Sequence, residues 1–393
     1  VSIKCRFFRL LALGWAIALL LSLPTTTAAQ TPPTELRGVW LTNIDSEVLF
    51  SRYNLTRGLV RLKRLNFNTV YPTVWNGGYT LFPSETAKRV FGKDLDPYPG
   101  LQGRDLLEEI TFTGHRLGLA VIPWFEFGMM APANSELARQ HPDWLTSRQD
   151  GTQVWMQGNL PRVWLNPAHP EVQQFMVDLI TEAVKEYDID GIQLDDHFGM
   201  SVDFGYDPYT VQRYKESHNG NEPPANSEDP EWVRWRADNL SRLMKKLVDR
   251  IKVINPNCVI SLSPNPRDFA YQRYLQDWGA WERRGLVEEL IVQVYRDDFS
   301  RFLWEIGQPV VQTAKDYLPV GIGLLSGLKN RITDMEKLQQ QVTAVREKGY
   351  AGVSFFFYET IGKRDAAFKA LFPTPAQRPV YRPPGFLAAA KEK

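Results

Sequence analysis

Eight short runs rich in β-branched and aromatic residues recur along the chain, each followed by a loop and then an amphipathic stretch. No other property of the sequence restricts the fold as much. The runs lie at 37–42, 69–74, 120–125, 191–195, 259–263, 290–295, 320–324 and 352–356. Between them, apolar residues at three-and-four spacing predict helices over 104–117, 170–187, 231–253 and 334–348, with Pro170 opening one and Asn255-Pro256 closing another. Strict alternation of this kind demands right-handed crossovers and a parallel sheet, and eight such units close most economically into a (β/α)8 TIM barrel. The competing α/β arrangement, a doubly wound open sheet, lacks its Gly-rich phosphate loop after the first strand.

Unit length points to one end of this barrel. The units beginning at the second, third and fourth strands are much longer than the rest, with the excess at 75–103, 128–169 and 197–229. Loops that follow strands crowd the C-terminal face, where barrel enzymes keep their sites. These loops carry Trp75, Tyr79, Phe82, Trp144, Trp155, Trp164, Tyr206 and Tyr209, which are expected either to line a cleft or to pack on one another as an aromatic lid.

The chain ends read differently. Lys4, Arg6 and Arg9 precede an apolar run over 10–23, then Pro24 and small residues to Ala29; this reads as a signal peptide over 1–29, with a retained anchor as the alternative. A linker over 30–34, a barrel over 35–372 and a Pro-rich, exposed tail over 373–393 complete the expected organisation. Cys5 would leave with the signal and Cys258 alone cannot form an internal disulfide, which suits export to a bacterial periplasm or cell surface. No stable membrane span is expected after signal cleavage. With 46 basic and 45 acidic residues the net charge is +1, so no field for nucleic acid is present.

Glycosidic cleavage needs a proton donor and a second carboxylate, and strand ends supply the candidates. Glu126 closes the third strand among Trp124, Phe125 and Phe127, where burial would raise its pKa and suit it to donate a proton; pairing with Arg37 is the scaffold alternative. Asp195 and Asp196 close the fourth strand, and alternation turns one of them towards the barrel axis. Glu359, Asp297 and Asp298 follow later strands, where helix capping is the competing role. Arg37, Trp40, Asn43, Tyr71, Trp75, Asn76, Trp124, Gln193, His197, Asn265, Gln293, Tyr295 and Glu359 are the candidate contacts to a polysaccharide substrate. Asp195-Asp196-His197 could ligate a metal, but the five histidines form neither His-x-His nor His-Glu-x-x-His, so no metal or other cofactor is expected. No Gly-x-Ser-x-Gly elbow supports a serine nucleophile.

Five segments in order then resemble one family: Glu35-Leu36-Arg37-Gly38-Val39-Trp40-Leu41-Thr42, Phe67-Asn68-Thr69-Val70-Tyr71, Trp124-Phe125-Glu126, Asp190-Gly191-Ile192-Gln193-Leu194-Asp195-Asp196 and Gln293-Val294-Tyr295 look like the bacterial glycosyl hydrolase-like 10 family. The resemblance implies an exported (β/α)8 glycosidase acting on peptidoglycan glycan strands, notably strands stripped of peptides, with Glu126, Asp195 and Asp196 as its acidic site. The fourth segment is also similar to the Asp-Gly-x-Arg-x-Asp pattern of the α-amylase superfamily, which would make Asp195 the nucleophile, although Gln193 replaces the arginine. His197 stands where the glycosyl hydrolase-like family usually has an aromatic residue. Two other readings stay open: a non-catalytic glycan-binding barrel, and a metal-dependent deacetylase or hydrolase.

Overall fold

The computed structural model describes residues 32–380; the signal-peptide reading of 1–29 and the tail beyond 380 lie outside the described residues. Eight parallel strands form one sheet: β1 (Leu36–Leu41), β2 (Thr69–Pro72), β3 (Ala120–Val121), β4 (Gly191–Asp195), β5 (Val259–Ser263), β6 (Glu289–Gln293), β7 (Val320–Leu325) and β8 (Gly352–Phe356). Their spatial order is β3-β2-β1-β8-β7-β6-β5-β4, with sequential strands adjacent and β1 beside β8. The two edges join through Asp190 N–H to the Val121 carbonyl at 3.1 Å, Gln193 N–H to the Pro123 carbonyl at 2.8 Å and Phe125 N–H to the Gln193 carbonyl at 2.9 Å. These bonds close the barrel. Regular pairing of β3 stops early because Pro72, facing it from β2, and Pro123, facing β4, have no N–H to contribute, and the strand resumes only as a bridge at Trp124.

One principal helix follows each strand: α1 (Arg52–Arg64), α2 (Leu106–Arg116), α3 (Pro170–Glu186), α4 (Pro230–Ile254), α5 (Trp278–Arg283), α6 (Phe299–Ile306), α7 (Met335–Glu347) and α8 (Asp365–Leu371). The main core lies between sheet and helices, where Ile192, Leu194, Ile260 and Leu262 point outwards onto residues such as Phe175 and Leu243. A second cluster fills the barrel: Leu36, Trp40, Tyr71, Ile122, Trp124, Ile291 and Phe357. Trp40 fits there because β7 faces it with Gly323, where an added Cβ would come within 3.3 Å of the indole. Among the described residues, no helix is long and apolar enough to cross a membrane.

The three long loops follow β2, β3 and β4. The first contains a hairpin (Trp75–Asn76 with Tyr79–Thr80), the second a three-stranded antiparallel sheet (Met130–Pro132, Leu160–Trp164, Trp155–Gln157), and the third a helix over Pro208–Ser217. Their aromatics mostly pack together. Trp75, Phe82, Trp144 and Trp164 are buried, while Tyr79, Trp155, Tyr206 and Tyr209 remain half-buried.

The opposite mouth is closed by the chain after α8. Glu35 N–H donates to the Gln377 carbonyl at 2.9 Å, Asn68 Nδ2 to the Ala376 carbonyl at 3.3 Å, and Arg378 places its guanidinium against Glu289 at the start of β6. From Glu289 a buried polar column runs along the barrel axis. Tyr71 and Ser261 each donate a hydroxyl to Glu289 Oε1 at 2.9 Å, Gln193 Nε2 donates to Ser261 at 3.0 Å, and Trp40 Nε1 donates to Gln193 Oε1 at 2.7 Å. Residues 373–375 and 377 are exposed, as expected of the tail, but Arg378 is half-buried because it is the counter-charge of a carboxylate that the barrel buries.

Candidate active site

Side chains alternate along a strand, so Gln193 and Asp195 share a face of β4. Gln193 points into the barrel, and Asp195, 1% exposed, points the same way one layer higher. Both of its oxygens are held: Oδ1 accepts from His197 N–H at 2.8 Å, and Oδ2 accepts from Trp124 Nε1 at 3.1 Å and faces His197 Nδ1 at 3.3 Å. Its backbone carbonyl accepts from Gln276 Nε2 at 2.6 Å. Asp196, one residue past the strand, is half-buried and accepts from Gln293 Nε2 at 3.2 Å.

Glu126 arrives from β3. Its Oε2 accepts from Thr73 Oγ1 at 3.1 Å and from Asn76 Nδ2 at 2.8 Å, both in the segment that follows β2. Gly128 allows the loop after β3 to lie against the loop after β4: at φ +47°, a Cβ there would sit 2.5 Å from the backbone of His197 and Phe198. Met129 N–H donates to the His197 carbonyl at 2.8 Å at this crossing.

Burial dominates the electrostatics. It pushes the Glu126 carboxyl up to about 7, with the nearby Asp195 charge adding to the rise and His197, Thr73 and Asn76 opposing it. Burial likewise raises Asp195 to about 6 against the pull of His197. For His197 burial acts against the charge, but Asp195, Asp196 and Glu126 outweigh it and lift the imidazole to about 10. Tyr295 is held well above its ordinary value by burial and by the same three acids, so it stays a hydroxyl. The centre thus holds an imidazolium, an inward-facing aspartate and a carboxyl group that exchanges its proton near neutrality. Ligand atoms of Asp195, Asp196 and His197 lie within 4.8 Å of one another, close enough for a metal site. A metal there would have to displace the proton that Asp195, Asp196 and Glu126 hold on the imidazole.

Of the residues expected from sequence, Glu126, Asp195, Asp196, Asn76, Trp124, His197, Gln293 and Tyr295 come together here. Trp40 lies beneath them, buried, its ring against Trp124 at 6.3 Å. Glu359 stands beside the centre and accepts from Ser46 Oγ at 2.8 Å. Asn265 is half-buried, and its carbonyl accepts from Trp278 Nε1 at 3.1 Å.

Three expectations need correction. Arg37 lies at the start of β1, not its end, so it faces the opposite mouth, where it is bonded to Glu35 and the Thr374 carbonyl; it neither meets substrate nor pairs with Glu126. Tyr71 spends its hydroxyl on Glu289 in the axial column, below the site. Trp75 is buried in the loop core against Phe91 and Phe175, its Nε1 donating to the Gly128 carbonyl. The capping role holds for Asp298, which accepts from Arg301 N–H at 2.6 Å, while Asp297 pairs with Arg331. Thr73 and Arg162 were not anticipated. Thr73 was hidden inside a predicted strand, and Arg162, which sits over Phe127 within the field of Glu126, carries only an isolated loop charge as its signal.

A closed parallel barrel with buried carboxyl groups ending adjacent strands on its C-terminal face is the frame of a glycoside hydrolase. The model of the family described as Glycosyl hydrolase-like 10 matches residues 35–344, and the chain belongs to that family. Among curated proteins it is similar to Glycosyl hydrolase DigH of Escherichia coli (strain K12), 25% identical over 320 residues that cover 69% of this chain and 67% of that one. It is also similar to Glycosyl hydrolase YngK of Bacillus subtilis (strain 168), 26% identical over 328 residues that cover 73% of this chain and 57% of that one. Among solved structures, the PgaB (BpsB) glycoside hydrolase domain from Bordetella bronchiseptica superposes with a TM-score of 0.65 at 14% identity, covering 86% of this chain and 99% of that domain. The catalytic domain of beta-amylase from Paenibacillus polymyxa gives 0.56 at 10% identity, covering 92% and 98%. These two share the fold. Family membership makes the chain a glycoside hydrolase.

Proposed function

We propose that the protein is exported and hydrolyses the glycan strands of peptidoglycan, with Glu126 as general acid and Asp195 as the carboxylate that meets the anomeric carbon. The observation that carries this reading is the pair itself: a carboxyl group raised to about 7 beside an aspartate that is held rigidly by Trp124 and His197. Glu126 gives its proton to the glycosidic oxygen as the carbon–oxygen bond breaks, and Asp195 bonds to the anomeric carbon. Water then attacks that carbon, Glu126 takes the water's proton, and the Asp195 bond breaks. Asp196, fixed by Gln293, and the protonated His197 shape the field around this exchange. The substrate class rests on the resemblance read from the strand-end motifs, and export rests on the basic, apolar and small-residue order of 1–29. The test is reducing-end release from peptide-free glycan strands by the purified protein. Wild type is expected to release them, and Glu126→Gln and Asp195→Asn to release at least a hundredfold fewer per unit time. A wild type that binds the strands and cleaves none overturns the reading in favour of a glycan-binding barrel.

A further inference from the structure

Arg162 stands in the loop strand Leu160–Trp164, where alternation sets it on the same face as Trp164, whose ring stacks on His197 at 6.4 Å. Its guanidinium lies over the ring of Phe127, 4.9 Å from the centroid, and Phe127 follows Glu126 in the chain. Nε donates to Gln157 Oε1 at 3.1 Å, which fixes the group from behind. Among the described residues Arg162 forms no ion pair, and its Nη1 and Nη2 have no protein acceptor, yet neither is sealed from solvent. Other half-buried arginines spend these nitrogens within the protein: Arg104 on Glu109, Arg296 on Glu305, Arg364 on the carbonyls of Thr333 and Ser326.

A guanidinium drawn out of water without an anion is costly, so a cation held this way beside a substrate cleft is a place for an anionic group. Burial works against the Arg162 charge and the charge of Glu126 favours it; once Glu126 carries the proton it donates, that support is withdrawn. Two N–H edges in one plane match the two oxygens of a carboxylate, and such charge-assisted pairs are roughly twice as strong as bonds to a neutral hydroxyl or acetamide. Trp155, half-buried and paired with Arg162 across the loop sheet, adds an aromatic surface for a sugar ring next to the fork. On a peptidoglycan strand the carboxylate is the lactyl group of the muramyl unit, a neutral amide while a peptide is attached and an anion once the peptide is gone.

We propose that Arg162 is a specificity-determining residue whose Nη1 and Nη2 hold the lactyl carboxylate of a muramyl unit beside the acids, so that the site selects strands whose carboxylates are free. The inference rests on the hydrolase reading for its glycan and deepens it by naming the group that is recognised and the residue that recognises it. The test is calorimetric titration of the full chain carrying Glu126→Gln, which stops turnover, with soluble peptide-free strands and with the same strands after their lactyl carboxylates are coupled to methylamine as amides. The free-carboxylate strands are expected to bind at least tenfold tighter at low ionic strength, and the preference to shrink as salt screens the charge. Adding Arg162→Gln is expected to erase the preference while leaving the affinity for the amidated strands within threefold, which also reports that the variant folds. Equal affinities, or a preference that survives Arg162→Gln, overturn the proposal. A hexuronate oligomer that binds tighter than the free-carboxylate strands overturns the muramyl assignment. Reducing-end release from both kinds of strand by wild type separates the two readings: cleavage without a carboxylate preference removes the subsite and keeps the hydrolase, and carboxylate-selective binding without cleavage does the reverse.

Discussion

Glu126 and Asp195 titrate in a window set by burial, and the order of their two values has a consequence for rate. A proton donor raised to about 7 beside a carboxylate raised to about 6 works only between the two, so hydrolysis is expected to rise through pH 6 and fall through pH 7. Glu126→Gln is expected to cost about 10²–10⁴ in kcat and to abolish the falling limb, which pH–rate profiles of the two proteins would read. The same group affects stability. From its ordinary 4.5 up to about 7, Glu126 binds its proton more tightly in the folded protein than in the unfolded chain. Its contribution to stability therefore declines as pH rises across that interval and is constant above it. Glu126→Gln removes the buried charge, so the melting temperature of the variant relative to wild type is expected to be higher at pH 8 than at pH 5; equal differences at the two pH values would mean that Glu126 is not a desolvated acid.

The elements were legible to different depths. Apolar spacing located 170–187, 231–253 and 334–348, and the helices span Pro170–Glu186, Pro230–Ile254 and Met335–Glu347, because these faces bury one stripe against the sheet. β3 ended short of expectation because Pro72 and Pro123 break the ladders on its two sides. Side-chain height was harder to read than side-chain face. Alternation says whether Tyr71 points inwards, but not that its hydroxyl reaches down to Glu289 instead of up to Asp195. Arg37 was readable in principle, since the start of a parallel strand belongs to the face away from the site. Trp75 was not, because a loop aromatic can line a cleft or fill a core and only the fold decides. Gly128 tests the crossing that brings β3 and β4 residues together. Gly128→Ala would place a methyl group against the His197 backbone at positive φ, and is expected to cost at least about 1 kcal/mol by chemical denaturation and to lower kcat with it.

Across the whole molecule, the two mouths of the barrel are linked by the column from Arg378 through Glu289, Ser261 and Gln193 to Trp40, which supports Trp124 and so Asp195. Arg378→Ala strands the Glu289 carboxylate in the barrel and is expected to cost about 3 kcal/mol in urea unfolding; Glu289→Gln in the same chain should return most of it. Synthesis gives this column a direction in time. Arg378 leaves the ribosome after all eight strands, so Glu289 has no counter-charge while the strands emerge, and the lower mouth stays uncovered until the segment after α8 arrives. A nascent chain whose residues beyond α8 are still inside the exit tunnel would therefore present Glu289 without its counter-charge, and the emergence of Arg378 would supply it.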